Sequence, residues 1–150
     1  MPGLWFEEFN EGMVIEHPIR RTVTEADNTL FCAMTMNPAA LHLDAEAMKA
    51  SPFGERIVNS LYTLGLMVGI SVHDTTLGTT VANLGFEEVA FPAPLFHGDT
   101  VHVRTTVLTL RESKSRPNEG IVNLLHEAMK QDCTVVARCR RAALMRRRPA

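Results

Sequence analysis

The stretch Ile57–Val72 constrains this chain more than any other. Its sixteen residues include Leu61, Leu64, Leu66, Met67, Val68 and Ile70 and not one Asp, Glu, Lys or Arg. Such a helix is apolar on nearly every side, which predicts a rod buried all round. It is too short to cross a bilayer, which takes ~20 residues. Gly65 and Gly69 would let a sheet approach its backbone, at about 1 kcal/mol each relative to alanine. Four strand-like segments follow it: Thr79–Phe91, bulged at Gly85; Thr100–Arg111; Gly120–Met129; and Thr134–Met145. The second alternates well, with Val101, Val103, Thr105 and Val107 on one face. Pro92-Ala93-Pro94, Gly98-Asp99 and the polar run Ser113–Gly120 read as the connections.

Upstream of the rod, Leu4, Trp5, Phe6 and Phe9 predict a segment packed onto the body, and Gly12–Val23 predicts a strand. Thr24 has the character of a helix N-cap, with Asp27 three places on. Ala26, Leu30, Ala33 and Met34 would line the inner face of the helix it begins. Asn37-Pro38 ends that helix, because the residue before proline avoids the helical region. Asp44 caps a second short helix holding Ala45, Ala47 and Met48, and Ser51–Gly54 is a loop. This order of elements is satisfied by an α+β hot-dog fold, a curved antiparallel sheet wrapped around one long buried helix, with residues 1–150 forming a single domain. Its edge strands would be exposed in a lone copy, so a homodimer or a dimer-based higher homo-oligomer is expected.

Charge narrows the partners. The net charge of −2 gives no general attraction to nucleic acid or to an anionic membrane. Arg140, Arg141 and Arg146, Arg147 and Arg148 read as a solvated, frayed terminus, with phosphate or nucleic-acid binding as the alternative. Cys32, Cys133 and Cys139 fit no zinc spacing, and no secretory signal precedes them. They read as reduced thiols of a cytoplasmic protein, and no metal is expected.

Two motifs carry chemistry. Asn37-Pro38-Ala39-Ala40-Leu41-His42 sets a carboxamide and an imidazole five residues apart, and Ile57-Val58-Asn59-Ser60 opens the apolar helix. Together they resemble the MaoC-like (R)-specific enoyl-CoA hydratases and dehydratases, whose motif is Asp-x-Asn-Pro-(Leu/Ile)-His followed by an Ile-Val-His-Gly helix entrance. Phe96-His97-Gly98-Asp99-Thr100 resembles that family's Gly-Asp turn. The departures are Asn37 for the family's aspartate, Ala39 for its asparagine, Ala40 for its proline, and Asn59-Ser60 for His-Gly. Met34-Thr35-Met36-Asn37-Pro38, Val58-Asn59-Ser60-Leu61, Asp74-Thr75-Thr76, Ala82-Asn83-Leu84-Gly85 and Ser113-Lys114-Ser115-Arg116-Pro117 resemble the mesaconyl-CoA and itaconyl-CoA hydratase branch.

The resemblance implies water addition to, or removal from, the double bond of a short branched, dicarboxylic acyl-CoA, with coenzyme A as part of the substrate and no separate cofactor. An imidazole can take up and release a proton near neutral pH, so His42 is the residue that can move the protons. Asn37 has no useful basicity but can orient water or hold His42 in one tautomer. Amides near Asn59 and Ser60, at the positive end of the helix, can receive the thioester oxygen, although both residues also suit a plain helix cap. Lys114 and Arg116, interleaved with Ser113 and Ser115, can meet the phosphates of coenzyme A, and Arg104 is a weaker candidate; a solvated hairpin is the alternative. His17, His73, His97, His102 and His126 read as structural, and Asp44 reads as a cap before it reads as a helper of His42. A hot-dog thioesterase is the nearest enzymatic rival; such enzymes usually need a carboxylate or equivalent on or beside the central helix, and Asn59–Val72 has none, which argues against it. A non-catalytic acyl-CoA-binding or regulatory protein stays open through Asn37.

Overall fold

A computed structural model describes residues 3–149. Phe6 and Phe9 are buried, so the first segment packs onto the body as expected. The strand expected at 12–23 is split into β1 (Val14–Glu16) and β2 (Arg21–Thr22), both paired with β4 (Thr100–Glu112). Pro18 lies in the gap and has no N–H to give a ladder. Helix α1 (Glu25–Met34) opens on a capping box: Thr24 Oγ1 accepts the Asp27 N–H, and the Asp27 carboxylate accepts the Thr24 N–H. Helices α2 (Ala40–Leu43) and α3 (Ala45–Met48) follow, with Asp44 Oδ1 accepting the Ala47 N–H at 2.9 Å as the cap of α3. Then come α4 (Ser60–Thr75), β3 (Thr80–Ala90), β4, β5 (Glu119–Met129) and β6 (Val135–Arg146).

The sheet runs β1–β4–β5–β6–β3, antiparallel throughout, with β2 also on β4. Register shifts between Asn83 and Gly85, Val107 and Thr109, and Ala128 and Met129 bend it, the first at the expected bulge. Helix α4 packs on β4, β5 and β6, and Val101, Val103, Thr105 and Val107 are all buried. This is the hot-dog arrangement.

The core beneath α4 comes in two apolar clusters. Val101, Val103, Ala128, Cys139 and Met67 belong to one, and Val107, Leu124, Ala143, Met145 and Phe9 to the other. Between them a polar row crosses the strands. Asp74 Oδ2 accepts from His17 Nδ1 at 2.9 Å; His17 Nε2 and His126 Nδ1 each lie 2.8 Å from Thr105 Oγ1. Arg141, on β6, extends the row toward β3, where its Nε donates to Asn83 Oδ1 at 3.3 Å. The row is interrupted, because His126 Nε2 and Arg141 Nη1 are buried and have no partner among the described residues.

Three expectations are corrected. Helix α4 is buried on one face only, through Thr63, Met67, Ile70, Ser71 and Thr75, while Leu61, Gly65 and Gly69 are exposed. A Cβ on Gly65 or Gly69 would meet nothing within 4 Å, so these glycines admit no sheet. One sheet covers one side of a rod, and a single copy leaves the other side bare. Helix α1 turns inward with Asn28 and Cys32, leaving Leu30 61% and Met34 68% exposed. Its orientation follows the hydrogen bonds of Asn28 and not the apolar stripe. Finally, the terminal arginines are tied down. Arg147 pairs with Glu7 and Glu112 and lies over the Phe6 ring, and Arg148 pairs with Glu8.

Candidate active site

The approach to α4 is extended. Val58 N–H donates to the Leu95 carbonyl at 2.8 Å, and Ile57 bridges to Phe96. Asn59 then starts the helix, its Oδ1 accepting the Leu61 N–H at 3.0 Å. The Asn59 N–H donates to Asn28 Oδ1 at 2.9 Å, and its Nδ2 meets Cys32 Sγ at 3.7 Å. The Asn59 backbone N–H, expected as a donor to a substrate oxygen, is thus engaged within the fold, together with one hydrogen of its side-chain amide. Ser60 differs. Its N–H and hydroxyl have no hydrogen-bond partner among the described residues, and it lines a cleft of about 320 Å³. Phe53, Ile57, Thr63, Phe91 and Val136 are also in that lining.

His42 is buried in α2, and its Nδ1 lies 2.8 Å from the Ile57 carbonyl. A carbonyl only accepts, so Nδ1 carries the hydrogen and Nε2 of the neutral ring keeps its lone pair. Nε2 has no partner among the described residues. The ring is not part of the cleft wall, but Ile57 belongs both to that wall and to the His42 bond. Asn37 Oδ1 accepts the Ala39 N–H at 3.0 Å, which shapes the turn into α2. Its amide hydrogens have no partner among the described residues.

Asn28 ties these pieces together and was missed in the sequence. It is fully buried, and its Nδ2 lies 3.1 Å from the Ile57 carbonyl, 3.0 Å from His97 Nε2 and 3.5 Å from the His42 carbonyl. Burial and the nearby Arg56 guanidinium hold the His97 imidazole below its ordinary pKa, which suits an acceptor nitrogen. The available signal was the pairing of Asn28 with Cys32 one helical turn later, opposite the Leu30–Met34 stripe.

Other candidates lie elsewhere. Lys114, Ser115 and Arg116 sit exposed in the β4–β5 hairpin, where Arg116 pairs with Glu119 at 3.3 Å. Ser115 and Arg116 line a separate cavity with Val81, Ala82 and Leu84 at the start of β3. Within one chain they are not brought to His42 and Ser60. Arg104 is engaged by Glu127 at 2.9 Å and is not free for a phosphate. No three His, Cys, Asp or Glu side chains converge as a metal-ligand set among the described residues. Among the described residues no helix is long and apolar enough to cross a membrane.

The MaoC-like domain model matches residues 8–129. The mesaconyl-CoA hydratase of Cereibacter sphaeroides is 31% identical over 97% of the chain, which spans only 42% of that relative's length. The MaoC-like dehydratase from Rhodospirillum rubrum superposes with a TM-score of 0.86 at 30% identity, covering 99% of this chain and 100% of that one. A Mycobacterium tuberculosis protein with a double hotdog fold superposes with a TM-score of 0.87 at 22% identity over 98% of this chain and 45% of its own, a likeness of fold alone. With the helix entrance, the His42 turn and the wrapped sheet all in place, the chain belongs to the MaoC-like domain family.

Proposed function

We propose that this chain is a hydratase/dehydratase unit that adds water to, or removes it from, the α,β double bond of a short branched, dicarboxylic acyl-CoA. The observation that carries the reading is the 2.8 Å contact of His42 Nδ1 with the Ile57 carbonyl, which makes Nδ1 the donor and leaves Nε2 as a base beside the entrance to α4. In hydration, Nε2 takes a proton from water as the oxygen attacks the β-carbon, and the resulting imidazolium returns a proton to the α-carbon. Negative charge growing on the thioester oxygen meets the Ser60 N–H and hydroxyl at the positive end of α4, and loss of one such donor costs on the order of 3 kcal/mol. Asn37, with amide hydrogens free, orients the water. Coenzyme A arrives as part of the substrate, and the reading calls for no other cofactor.

A second hot-dog unit completes the reading, as a second copy of this chain. Strand β3 is a sheet edge carrying Val81, Leu84, Phe86 and Val89, each 37–50% exposed. Its first residues lie beside the Ser115–Arg116 hairpin and Phe91, just past its end, lies at the Ser60 cleft. Antiparallel pairing of β3 with its copy lays the first end of one against the last end of the other. Lys114, Ser115 and Arg116 of one copy then approach the cleft of its partner, where they can meet the phosphates of coenzyme A.

The test is a panel of crotonyl-, mesaconyl- and itaconyl-CoA, read by mass spectrometry for a gain of water, with free thiol followed by disulfide exchange. Water gain without thiol supports the proposal, and mesaconyl-CoA should be turned over fastest. Thiol release would make the chain a thioesterase, and no change on any substrate would leave an acyl-CoA-binding protein.

A further inference from the structure

We infer that Asn28 is a positioning residue for this chemistry: a single buried amide fixes the His42 imidazole and the first turn of α4 relative to each other. The inference rests on the hydratase reading for its kinetic consequence but not for its geometry.

The amide side chain has one acceptor oxygen and two donor hydrogens, and the fold uses both kinds. Oδ1 takes the Asn59 N–H at 2.9 Å, which pins the residue that caps α4. Nδ2 gives to the Ile57 carbonyl at 3.1 Å and to His97 Nε2 at 3.0 Å, with the His42 carbonyl a more distant 3.5 Å away. The Ile57 carbonyl also receives His42 Nδ1 at 2.8 Å. Both of its lone-pair directions are therefore occupied, and its peptide plane is held from two sides. A fixed Ile57 carbonyl holds His42 in the Nδ1–H tautomer and aims Nε2. The same amide holds Asn59, one residue before the unpartnered Ser60 N–H. The proposed base and the proposed oxygen-binding end are thus referenced to one rigid point, supplied by a different helix.

No other neutral side chain of this size does the same. Aspartate keeps the acceptor for Asn59 but sets a second oxygen against the Ile57 carbonyl and the His97 Nε2 lone pair. Alanine frees all three. A residue serving only as a core tie would lower the folded fraction and leave the folded molecules unchanged. A positioning residue changes the folded molecules themselves.

The experiment measures His42 tautomer populations by long-range 1H–15N NMR without substrate, then kcat and KM on crotonyl-CoA, for the full chain and for Asn28→Asp and Asn28→Ala. Wild-type His42 should be the Nδ1–H tautomer at neutral pH. In the folded fraction of either variant the Nε2–H tautomer should appear. The variants' kcat should fall on the order of 30- to 100-fold with KM changed less than about threefold, as expected for misplaced groups and intact binding. A wild-type Nε2–H tautomer would overturn the proposal without any variant having to fold. So would a folded Asn28→Asp with the wild-type tautomer and kcat. Absence of turnover by the wild type would sink the hydratase reading alone, since the tautomer measurement still decides whether Asn28 fixes the ring.

Discussion

Around Asn28, every fully buried side-chain nitrogen and oxygen among the described residues has a partner, and only His42 Nε2 is left open; in the row from His17 to Arg141, two fully buried atoms have none. Both networks lie in the interior, and both centre on a histidine whose Nδ1 is hydrogen-bonded. They differ in what surrounds the other ring nitrogen. His42 is set beside the α4 entrance, where, on the proposed reading, water and substrate use Nε2. His126 is fully buried between two apolar clusters, and its Nε2 faces no described donor within reach. A closed network locks a geometry; an open one at full burial moves a pKa instead. His126 is accordingly pushed down to about 3, by burial first and then by the charge of Arg141.

The largest expected effect breaks the comparison at its functional end. His42→Ala should lower turnover by on the order of 10³-fold, within the range for loss of a general acid–base group, with the fold retained by circular dichroism. His126→Gln should leave turnover within about twofold; an equal loss in both would mean that the two networks serve one function.

The next effect is pH-dependent and belongs to His126. Its folded value of about 3 lies below the ordinary 6.5, so the unfolded chain binds more protons between those values. Its contribution is therefore fully present above pH 6.5 and is lost as pH falls toward 3. The slope should approach about 1.4 kcal/mol per pH unit. Urea midpoints taken between pH 6.5 and 4.5, above most of the carboxylate range, should fall in the wild type and flatten in His126→Gln. A flat wild-type profile would show that His126 keeps its proton in the folded chain.

Smaller effects separate a satisfied group from an unsatisfied one. Asn59→Ala removes the α4 cap and should cost about 1–2 kcal/mol. Arg141→Met should come within about 1 kcal/mol of the wild type, or exceed it, because a buried guanidinium without a carboxylate contributes little to offset its desolvation. A cost for Arg141→Met larger than for Asn59→Ala would place an anionic partner on Arg141. Smallest of all is a labelling test. Burial raises the Cys139 thiol to about 11, and Cys32 is also buried, while Cys133 is exposed. Iodoacetamide at pH 7.5 should add once to the folded chain and three times to the unfolded one, as judged by intact mass.

Much of the fold was legible because its signals are periodic. The alternation Val101–Val103–Thr105–Val107 gave the buried face of β4, Gly85 the bulge, and Thr24 with Asp27 the start of α1. Asn37, His42 and Ser60 stood out through motif spacing, and Ser60 does line a cleft. What failed were the inferences from apolarity to direction on helices α1 and α4. Leu30, Met34, Leu61, Gly65 and Gly69 read as interior but face outward, because apolar composition alone does not say which face of a helix the sheet covers. Asn28 failed in the opposite sense: a polar residue became a buried hub through bonds to Ile57, Asn59 and His97, none nearer than 29 residues in sequence. Long-range pairing of that kind leaves no local pattern.

The clasp of Arg147 and Arg148 on Glu7 and Glu8 has a consequence for topology. The Arg148 backbone N–H also reaches Glu7 Oε2, at 3.1 Å, so the two extremities of the fold meet at one spot on its surface. A bridge of a few residues would join them into a ring, and cutting that ring in the exposed 113–118 hairpin would rearrange the gene order of the strands while keeping every interior hydrogen bond.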